Sequence, residues 1–406
     1  MKKSIYFILI LSLFLLYIGT LNIPCQKIKG KKEEGNVKVI INKGDPQNPS
    51  LSLIFKEDLS ITKKGWWPAD IAVDNEGIIY VFGEGEKFIY KFDPRGNEIL
   101  KKMFPKGQGP EDFYFMDPYF SADGRLFIYD KLNQRMTILN DDCEIIETLQ
   151  FREPRFLFQQ DSKGNIYFFV SRILPEISET ADRAYKKVLT KFSPSGILLD
   201  ELFEFDNPRS DIDREKMIYY WPLYYTCGMY KLDSDDNLYY AMSDKYEISV
   251  VSLEGKLSKR IIKKGQSRKA TKRDIEIVTP PENNTSRRYK FEYIIPKHVP
   301  YIADFFILDN KFILVITHEN DYDKETLAGD LFNEKGIFQN RVEVPKYYQW
   351  WNNTEFYGLK KKALYRKDHF YIIDADKSEE NFYVKRYKIV WTNKIGETYS
   401  QVNRKD

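Results

Sequence analysis

Histidine and cysteine are the side chains of this sequence best suited to binding a metal or doing acid–base or thiol chemistry near neutral pH. The 406-residue chain has three histidines, His298, His318 and His369, all in its C-terminal third. A catalytic zinc site needs three ligands that converge from separate elements, so we expect these histidines to be exposed or packed locally. Cys143 and Cys227 are isolated in the sequence, and we expect two buried free thiols, with a disulfide between them as the alternative. The motifs of metalloproteases, P-loop NTPases and serine hydrolases are absent from the sequence, so these classes lack support.

Acidic residues crowd one short segment, Asp233-Ser234-Asp235-Asp236-Asn237, and suggest a calcium site. An EF-hand calcium loop also needs a Gly and a bidentate Glu at fixed positions, and both are absent from the segment. We therefore expect these Asp side chains to accept hydrogen bonds from the amides of their own turn. No cofactor is predicted. Scattered Glu, Asn and Asp ligands leave no local motif, however, so a single divalent metal stays an alternative.

Two aromatic clusters are candidates for ligand binding, Tyr219–Tyr225 and Tyr347–Asn353. Exposed Tyr and Trp side chains give large, rigid contact surfaces with a polar tip. A tryptophan pair earlier in the chain adds to them, so the candidate binding surface consists of Trp66, Trp67, Tyr220, Trp221, Tyr348, Trp350 and Trp351. The alternative is that these rings pack inserted loops against the body of the protein.

The charge of the whole chain is uninformative, because 63 basic and 60 acidic residues give a net charge of +3. Such a balance produces no field that would attract nucleic acid. The stretch Lys256–Arg273 is locally basic, which suits anionic lipid headgroups or acidic polymers. The alternative is a solvated strand edge and loop.

The N-terminal segment is typical of an export signal or a membrane anchor. Lys2 and Lys3 precede an uncharged apolar run from Ile5 to Ile23, and Cys25 follows. The run is long enough to span a bilayer and exceeds the usual apolar region of a cleaved signal peptide. Three outcomes stay open: acylation of Cys25 as in bacterial lipoproteins, an uncleaved anchor, and plain secretion. We expect the rest of the chain in the periplasm or at the cell surface.

The elements that must position these side chains repeat along the chain. Each unit has an apolar lead-in, an Asp-containing polar turn, and a strand of aromatic and β-branched residues, as in Ile71–Val81. Asp-Gly turns between such runs are strong hairpin signals. Six copies of the turn are marked by Asp74, Asp123, Asp161, Asp233, Asp309 and Asp368.

A second hairpin follows the first in several units, for example at Phe88–Gly96 and Leu189–Gly196. Two linked hairpins form a four-stranded antiparallel sheet, and such sheets repeated around an axis form a β-propeller. The six markers predict an all-β, six-bladed β-propeller, with seven blades as the alternative. Uneven spacing of the markers predicts loop insertions at about 171–186, 203–229, 265–299 and 318–328.

Strands also precede the first marker, at Val37–Ile41 and Leu51–Phe55. We predict that one N-terminal strand completes the last blade beside Tyr383–Trp391, because this closure leaves no open sheet edge. The predicted organisation is a signal peptide or membrane anchor over 1–25, a Lys/Glu-rich linker over 26–35, one propeller domain over 36–395 and a polar tail over 396–406.

The segment Lys106-Gly107-Gln108-Gly109-Pro110-Glu111-Asp112-Phe113 resembles the inter-blade G-x-G-P-G-E-F segment of NHL-related six-bladed β-propeller proteins of Gram-negative bacteria. Glu111 stands where that family has its third Gly, and Asp112 where it has Glu. Partial copies occur at Lys63–Pro68 and Lys263–Gln266, where we expect Gly to permit positive φ before a new blade. The resemblance covers most of residues 35–395 and implies the fold without naming a reaction.

These features favour an exported, membrane-tethered, monomeric propeller that is a non-enzymatic binding or scaffold module for a protein, peptide or glycan. The alternative is a metal-dependent propeller enzyme, a lyase or lactonase-type hydrolase, with one divalent metal on the axis. That alternative needs carboxylates or histidines from at least three blades directed into the central channel.

Overall fold

Short antiparallel strands joined by tight turns form most of the chain. The computed structural model describes residues 37–393 apart from 84, 122–123, 151–154, 174–184, 207–210, 214–215, 217, 223–226, 253–254, 266, 273, 276–289, 322–323, 347–362 and 377–380. The first strands in the chain are β1 (Lys38–Asn42) and β2 (Leu51–Thr62). Both join sheets whose other strands come much later in the sequence.

Within these described residues, six antiparallel units of four strands form blades I to VI, and the sheet of blade IV has β1 as a fifth strand. Blade I contains β3 (Pro68–Val73), β4 (Ile79–Gly83), β5 (Lys87–Phe92) and β6 (Glu98–Phe104). Blade II contains β7 (Asp117–Phe120), β8 (Leu126–Asp130), β9 (Arg135–Leu139) and β10 (Ile145–Gln150). Blade III contains β11 (Arg155–Gln160), β12 (Ile166–Ile173), β13 (Tyr185–Phe192) and β14 (Leu198–Asp206).

The second half of the chain adds two inserts to the blade pattern. After blade III come β15 (Asp211–Asp213) and β16 (Ile218–Pro222). Blade IV contains β17 (Gly228–Leu232), β18 (Leu238–Met242), β19 (Glu247–Val251) and β20 (Leu257–Lys263), and β21 (Lys290–Ile294) follows it. Blade V contains β22 (Ile302–Ile307), β23 (Ile313–Asp321), β24 (Thr326–Phe332) and β25 (Phe338–Pro345). Blade VI contains β26 (Ala363–Arg366), β27 (His369–Ala375), β28 (Phe382–Asn393) and β2.

The first strands of successive blades lie side by side around a central axis. Strand β3 contacts β7, β7 contacts β11, β11 contacts β17, and β17 contacts β22, while β26 and β27 of the last blade contact β3. The arrangement confirms the predicted six-bladed β-propeller, and the seven-bladed alternative is wrong.

The hydrophobic core lies between adjacent blades. Every residue of the second strands β4 and β8 is buried, which explains their continuous apolar sequences, since both faces of these strands are covered. Tyr80 and Phe82 of blade I pack with Leu126 and Ile128 of blade II in one such layer. The outer strand β6 instead alternates between exposed and partly buried residues, as expected at the rim.

An N-terminal strand closes the ring, as predicted. Strand β2 is the outermost strand of blade VI and pairs antiparallel with β28, from Leu51 opposite Asn393 to Thr62 opposite Tyr383. Leu53 on β2 is 3% exposed, within the hydrophobic layer between blades V and VI. The last blade therefore depends on contacts between residues more than 300 positions apart in the sequence.

The other N-terminal strand has a role that the sequence did not indicate. Strand β1 extends the outer edge of blade IV and runs parallel to β20, with Ile40 opposite Ile261. The buried Asn42 ends the strand: its Oδ1 accepts from the Phe338 amide at 2.8 Å, and its Nδ2 donates to the Gly336 carbonyl at 3.1 Å. The Asn42 side chain thus adds a link between blade V and the edge strand of blade IV.

The chain then crosses the edge of blade V to reach blade VI. The amides of Gln47 and Asn48 donate to the carbonyls of Phe338 and Gln339, each at 3.0 Å. The Asn340 amide group donates back to the carbonyls of Pro49 and Leu51 (3.1 and 2.7 Å). We call residues 38–50 the strap, because they link blades IV, V and VI.

Two of the predicted insertions combine into a sheet of their own. Strand β16, in the connection from blade III to blade IV, pairs with β15 and runs parallel to β21, which lies in the connection from blade IV to blade V. The predicted insertion at 318–328 is shorter than expected, because β23 extends to Asp321 and β24 begins at Thr326. The sequence thus located these insertions without predicting their sheet.

The topology gives the propeller two different ends. At one end lie the turns between the first and second strands of each blade and, in blades I to V, the turns between the third and fourth strands; we call it the turn end. At the other end lie the loops between the second and third strands and the connections from blade to blade; we call it the loop end. Both connections that contribute to the three-stranded insert sheet are at the loop end.

Candidate functional site

Tight turns that bind their own backbone form much of the turn end. In blade I the Asp74 carboxylate accepts from the amides of Glu76 and Ile78 at 2.8 and 2.9 Å. Asp161 in blade III accepts from the amides two and four residues later and from the Tyr167 hydroxyl. These local bonds explain the Asp of these two turns.

The acidic segment that suggested calcium is one of these turns. Asp233 accepts from the amides two and four residues later, at 2.9 and 2.8 Å, which confirms the prediction for this turn. Asp236 accepts from the amide of Ser162 in blade III, and Asp235 forms an ion pair with Lys311 of blade V. The remaining carboxylates therefore tie neighbouring blades together, a role that the sequence did not show.

The three histidines lie apart. His369 is at the turn end of blade VI, 3.5 Å from Asp58. His318 is at the loop end of blade V, and burial, aided by the charge of Arg268, lowers its pKa to about 3. His298 lies in the connection from blade IV to blade V. Among the described residues, no group of three or more His, Cys, Asp or Glu is arranged to hold a metal ion.

The predicted aromatic surface is only partly within the described residues. Trp66 is 5% exposed, and its indole nitrogen donates to the Phe382 carbonyl at 2.8 Å, so it anchors blade I to blade VI. Contrary to our prediction, Trp66 cannot be part of an exposed binding surface. Trp67 is 55% exposed and stacks on Phe382.

The other five predicted aromatic residues belong to the inserts. Tyr220 and Trp221 lie on β16, for which the structure describes the backbone. Tyr348, Trp350 and Trp351 lie outside the described residues. The proposed aromatic surface is therefore still a prediction for these five positions.

The Gly-rich segment that resembles the NHL motif connects blade I to blade II. Arg135 donates to the Gly109 carbonyl at 2.7 Å, and Asn133 to the Gly107 carbonyl at 2.9 Å. A Cβ atom on Gly107 would lie 2.3 Å from a carboxylate oxygen of Asp112. Glycine is required here by this close approach and not by positive φ, which we had expected for this family of turns; Gly65, at φ +71°, does fit that expectation.

Both cysteines of the propeller are free thiols, as predicted, but Cys227 is only partly buried. Cys143 is buried, and burial raises the pKa of its thiol to about 11. The apolar run 5–23 and Cys25 lie outside the described residues. In the part of the chain that the structure describes, no helix has the length and apolar character needed to cross a membrane.

A pocket of about 390 Å³ lies between blades IV and V at the loop end. Four segments of the chain form it: the strap, blade IV, the connection from blade IV to blade V, and blade V. Its lining residues are Gly44, Pro46, Tyr246, Lys263, Lys264, Gly265, Arg268, Val299, Pro300, Tyr301, Thr317, His318, Glu319, Phe338, Asn340 and Arg341. The volume is within the range of about 300–1,000 Å³ that is usual for small-ligand sites.

A buried carboxylate organises one side of this pocket. Asp330 on β24 is fully buried and binds the Lys263 ammonium at 2.6 Å, the Arg341 Nε at 2.9 Å and the Tyr246 hydroxyl. Burial alone would raise the pKa of Asp330, but the hydrogen bond from Arg341 and the charge of Lys263 lower it. Arg341 also binds Glu319 at the pocket surface.

A second buried carboxylate, Asp274, holds another cation of the pocket. Arg268 forms a bidentate pair with Asp274 at 2.6 and 2.8 Å, and it donates to the His318 carbonyl at 2.9 Å. Asp274 is 1% exposed and also accepts from the Thr271 amide. Both guanidinium groups of the pocket are therefore held by carboxylates behind them.

Sequence reasoning did not find this pocket. Lys263, Lys264 and Arg268 belong to the basic stretch Lys256–Arg273, so that stretch was the available signal. These three residues line a concave site, which neither interpretation of the stretch had specified. The contribution of the strap could not be foreseen, because it depends on pairing between β1 and β20 across more than 200 residues.

The sheet topology and ring of contacts define the protein as a six-bladed β-propeller. Solved structures with a similar fold include a candidate exported protein of Bacteroides fragilis (12% identity, 86% of this chain and 100% of that chain, TM-score 0.47). Another is a DUF4221 family member from Bacteroides vulgatus (11% identity, 83% of this chain and 98% of that chain, TM-score 0.48). A third is virginiamycin B lyase of Staphylococcus aureus (12% identity, 83% of this chain and 99% of that chain, TM-score 0.42).

No protein-family model matches the sequence, and no curated protein matches it either. The relation to NHL proteins therefore stays a prediction.

Proposed function

We propose that the protein is an exported, membrane-tethered propeller that works as a non-enzymatic binding module, with the pocket between blades IV and V as its ligand site. The observation that carries the proposal is the pocket itself, where four separate chain segments converge on groups held by buried carboxylates. Preorganised polar groups in a concave site are what a binding module needs, because little side-chain entropy is lost when the ligand arrives.

The protonation states of the pocket support binding over proton transfer. A general acid or base works best with a pKa near the pH of the reaction. The pKa of His318 is lowered to about 3 by burial and the charge of Arg268. The pKa of Tyr246 is raised by burial and Asp330, and that of Asp330 is lowered by Arg341 and Lys263 despite its burial. Each of these groups keeps one charge state across the neutral range.

The tether is proposed from the sequence. The apolar run Ile5–Ile23 and Cys25 supply either an anchor or an acylation site, and the strap that follows them in the chain forms one wall of the pocket. A module attached in this way would hold its ligand close to the membrane.

Glycan and peptide arrays probed with the full-length protein test the binding function. Gly265 lines the pocket, has no positive φ and has open space around an added Cβ, so Gly265→Trp should fill the mouth of the pocket without strain. Gly85 has equally open surroundings in blade I, and Gly85→Trp is the matched control. We expect array binding that Gly265→Trp abolishes and Gly85→Trp leaves intact; binding unaffected by Gly265→Trp would refute the pocket as the site.

Metal analysis of the same protein tests the enzymatic alternative. Thermal melting with and without a chelator is measured alongside it. Stoichiometric metal together with a chelator-induced fall in melting temperature would overturn the non-enzymatic proposal and direct attention to the axial carboxylates.

A further inference from the structure

We infer that the pocket between blades IV and V takes an acidic saccharide, a sugar ring that carries a carboxylate; this inference rests on the proposed binding function. Three properties of the pocket support it: an excess of cationic side chains, their fixed orientation, and a wall that combines aromatic rings with a hydrogen-bond acceptor.

The first property is charge. Among the described lining residues, four are cationic, Lys263, Lys264, Arg268 and Arg341, and one, Glu319, is a carboxylate. The buried Asp330 and Asp274 bind three of these cations from behind, so four positive charges face three negative ones and the cluster keeps a net charge of +1. His318, with its lowered pKa, adds no charge near neutral pH. The surface of the pocket therefore favours a ligand with negative charge.

The second property is orientation. Within the part of the chain that the structure describes, Arg341 uses three of its five N–H groups to bind Asp330 and Glu319. Its other two N–H groups can therefore donate to a ligand. Arg341 is 42% exposed, whereas Asp330 behind it is fully buried. A guanidinium fixed in this way matches the two oxygens of a carboxylate and loses little entropy on binding.

The third property separates a sugar acid from a simple anion. Tyr246 and Tyr301 line the same pocket with ring centroids 6.2 Å apart, and the buried Phe338 also lines it. Glu319 adds an acceptor beside the cations. An inorganic anion needs donors alone and would be repelled by Glu319, whereas a sugar presents hydroxyl donors for that carboxylate and an apolar ring face for the aromatic wall.

Isothermal titration calorimetry of the full-length chain in detergent micelles tests the ligand class. The probes are D-galacturonate and D-glucuronate, their uncharged parents D-galactose and D-glucose, and acetate and inorganic phosphate as anions without a sugar ring. We expect the uronates to bind at least about tenfold more tightly than the parent sugars, which corresponds to about 1.4 kcal/mol. Their affinity should fall as salt is added, since salt screens exposed charges.

Variants at exposed lysines assign the effect to the pocket. Lys264 is exposed, so Lys264→Gln should weaken uronate binding about three- to tenfold without disturbing the fold. Lys335 lies in the exposed turn between β24 and β25, at the turn end of blade V, and does not line the pocket, so Lys335→Gln should leave the affinity unchanged.

The outcomes distinguish the ligand class from the binding function. The acidic-saccharide inference is overturned if the parent sugars bind as tightly as the uronates. It is also overturned if acetate or phosphate binds as tightly as the uronates. A third result would overturn the inference but leave the binding function standing: an array ligand whose binding is lost in Gly265→Trp, while none of the six probes binds. If no array ligand is found and no probe binds, both the binding function and the acidic-saccharide inference are refuted.

Discussion

The two ends of this propeller are built in different ways. At the turn end, Asp74, Asp161 and Asp233 accept hydrogen bonds from amides two and four residues later in the same turn. At the loop end, Asp330 binds Lys263 and the Tyr246 hydroxyl, 67 and 84 residues away in the sequence. Local bonds repeat from blade to blade at the turn end, where Asp235 and Asp236 add links between neighbouring blades, whereas the long-range bonds of Asp330 form one side of the pocket.

This difference separates the hydrogen bonds that shape a single blade from the bonds that join neighbouring blades. A turn closed by its own Asp stabilises one hairpin, so its loss should be confined to that hairpin. The strap connects elements that are far apart in the sequence, and so does the Asp330 cluster, which consists of Asp330, Lys263, Arg341 and Tyr246. The effect of removing either one should therefore spread over blades IV to VI. Four predictions test this contrast, from the largest expected effect to the smallest.

Removal of residues 1–62 should have the largest effect. The deletion takes away β1 and β2, leaves the 12-residue strand β28 as an open sheet edge, and removes the burial of Leu53 and Ile61. We expect aggregated protein without a cooperative melt, as measured by size-exclusion chromatography and circular dichroism. Removal of residues 1–37 is the control, since both strands remain and the protein should melt cooperatively. A soluble, cooperatively melting protein after the longer deletion would contradict closure by β2.

Asp330→Asn should have the next largest effect. The substitution leaves Lys263 and Arg341 without their buried counter-charge, which typically costs about 3–5 kcal/mol of unfolding free energy. Urea unfolding monitored by fluorescence gives this value. Glu343→Gln breaks the exposed pair with Lys324 on the same blade, and its cost should be below about 1 kcal/mol. Similar losses for the two variants would show that Asp330 is not the centre of the cluster.

The same contrast explains which features the sequence predicted. The turn Asp residues and their strands could be predicted because they form a local pattern that repeats along the chain. Six such Asp residues predicted six blades. Closure by β2 was also predictable, because a propeller with spare N-terminal strands has one open edge to fill. The pocket was not predictable, since Gly44, Tyr246, Thr317 and Arg341 meet only after the ring has formed.

Trp66 illustrates the opposite error. A Trp-Trp pair in a polar segment suggested exposure, yet pairing of β2 with β28 brings the Phe382 carbonyl next to the Trp66 indole. Composition alone cannot distinguish this buried, hydrogen-bonded ring from its neighbour Trp67, which is 55% exposed. The distinction depends on closure of the ring.

Asn42→Ala should loosen the strap. The substitution removes the acceptor of the Phe338 amide and the donor to the Gly336 carbonyl, at a cost of about 2 kcal/mol. Hydrogen exchange should increase in β1, in residues 43–50 and at the start of β25, with little change in blades I to III. Asn48→Ala, which removes only an acceptor for the Ser50 hydroxyl, is the control within the strap. Faster exchange in all six blades, or in none, would contradict the proposed role of Asn42.

Asp161→Asn should have the smallest and most local effect. Asp161 is 2% exposed; burial alone would raise its pKa, but the hydrogen bonds from Asn165 and Tyr167 and the charge of Lys191 lower it. A carboxyl whose pKa is lower in the folded protein contributes stability above its unfolded pKa of about 3.9, and this contribution is lost as the pH falls through the folded value. At neutral pH we expect the substitution to cost about 1–2 kcal/mol, because a charged acceptor is replaced by a neutral one.

The pH dependence of that cost is the decisive measurement. Urea unfolding of the wild-type and Asp161→Asn proteins from neutral pH to below pH 4 should show a gap in stability that is constant at neutral pH and closes in acid. Hydrogen exchange should increase only in the hairpin of β11 and β12. A gap that persists in acid would show that the charge of Asp161 is not what stabilises the turn, and exchange that spreads to blades IV to VI would break the distinction between local and long-range bonds.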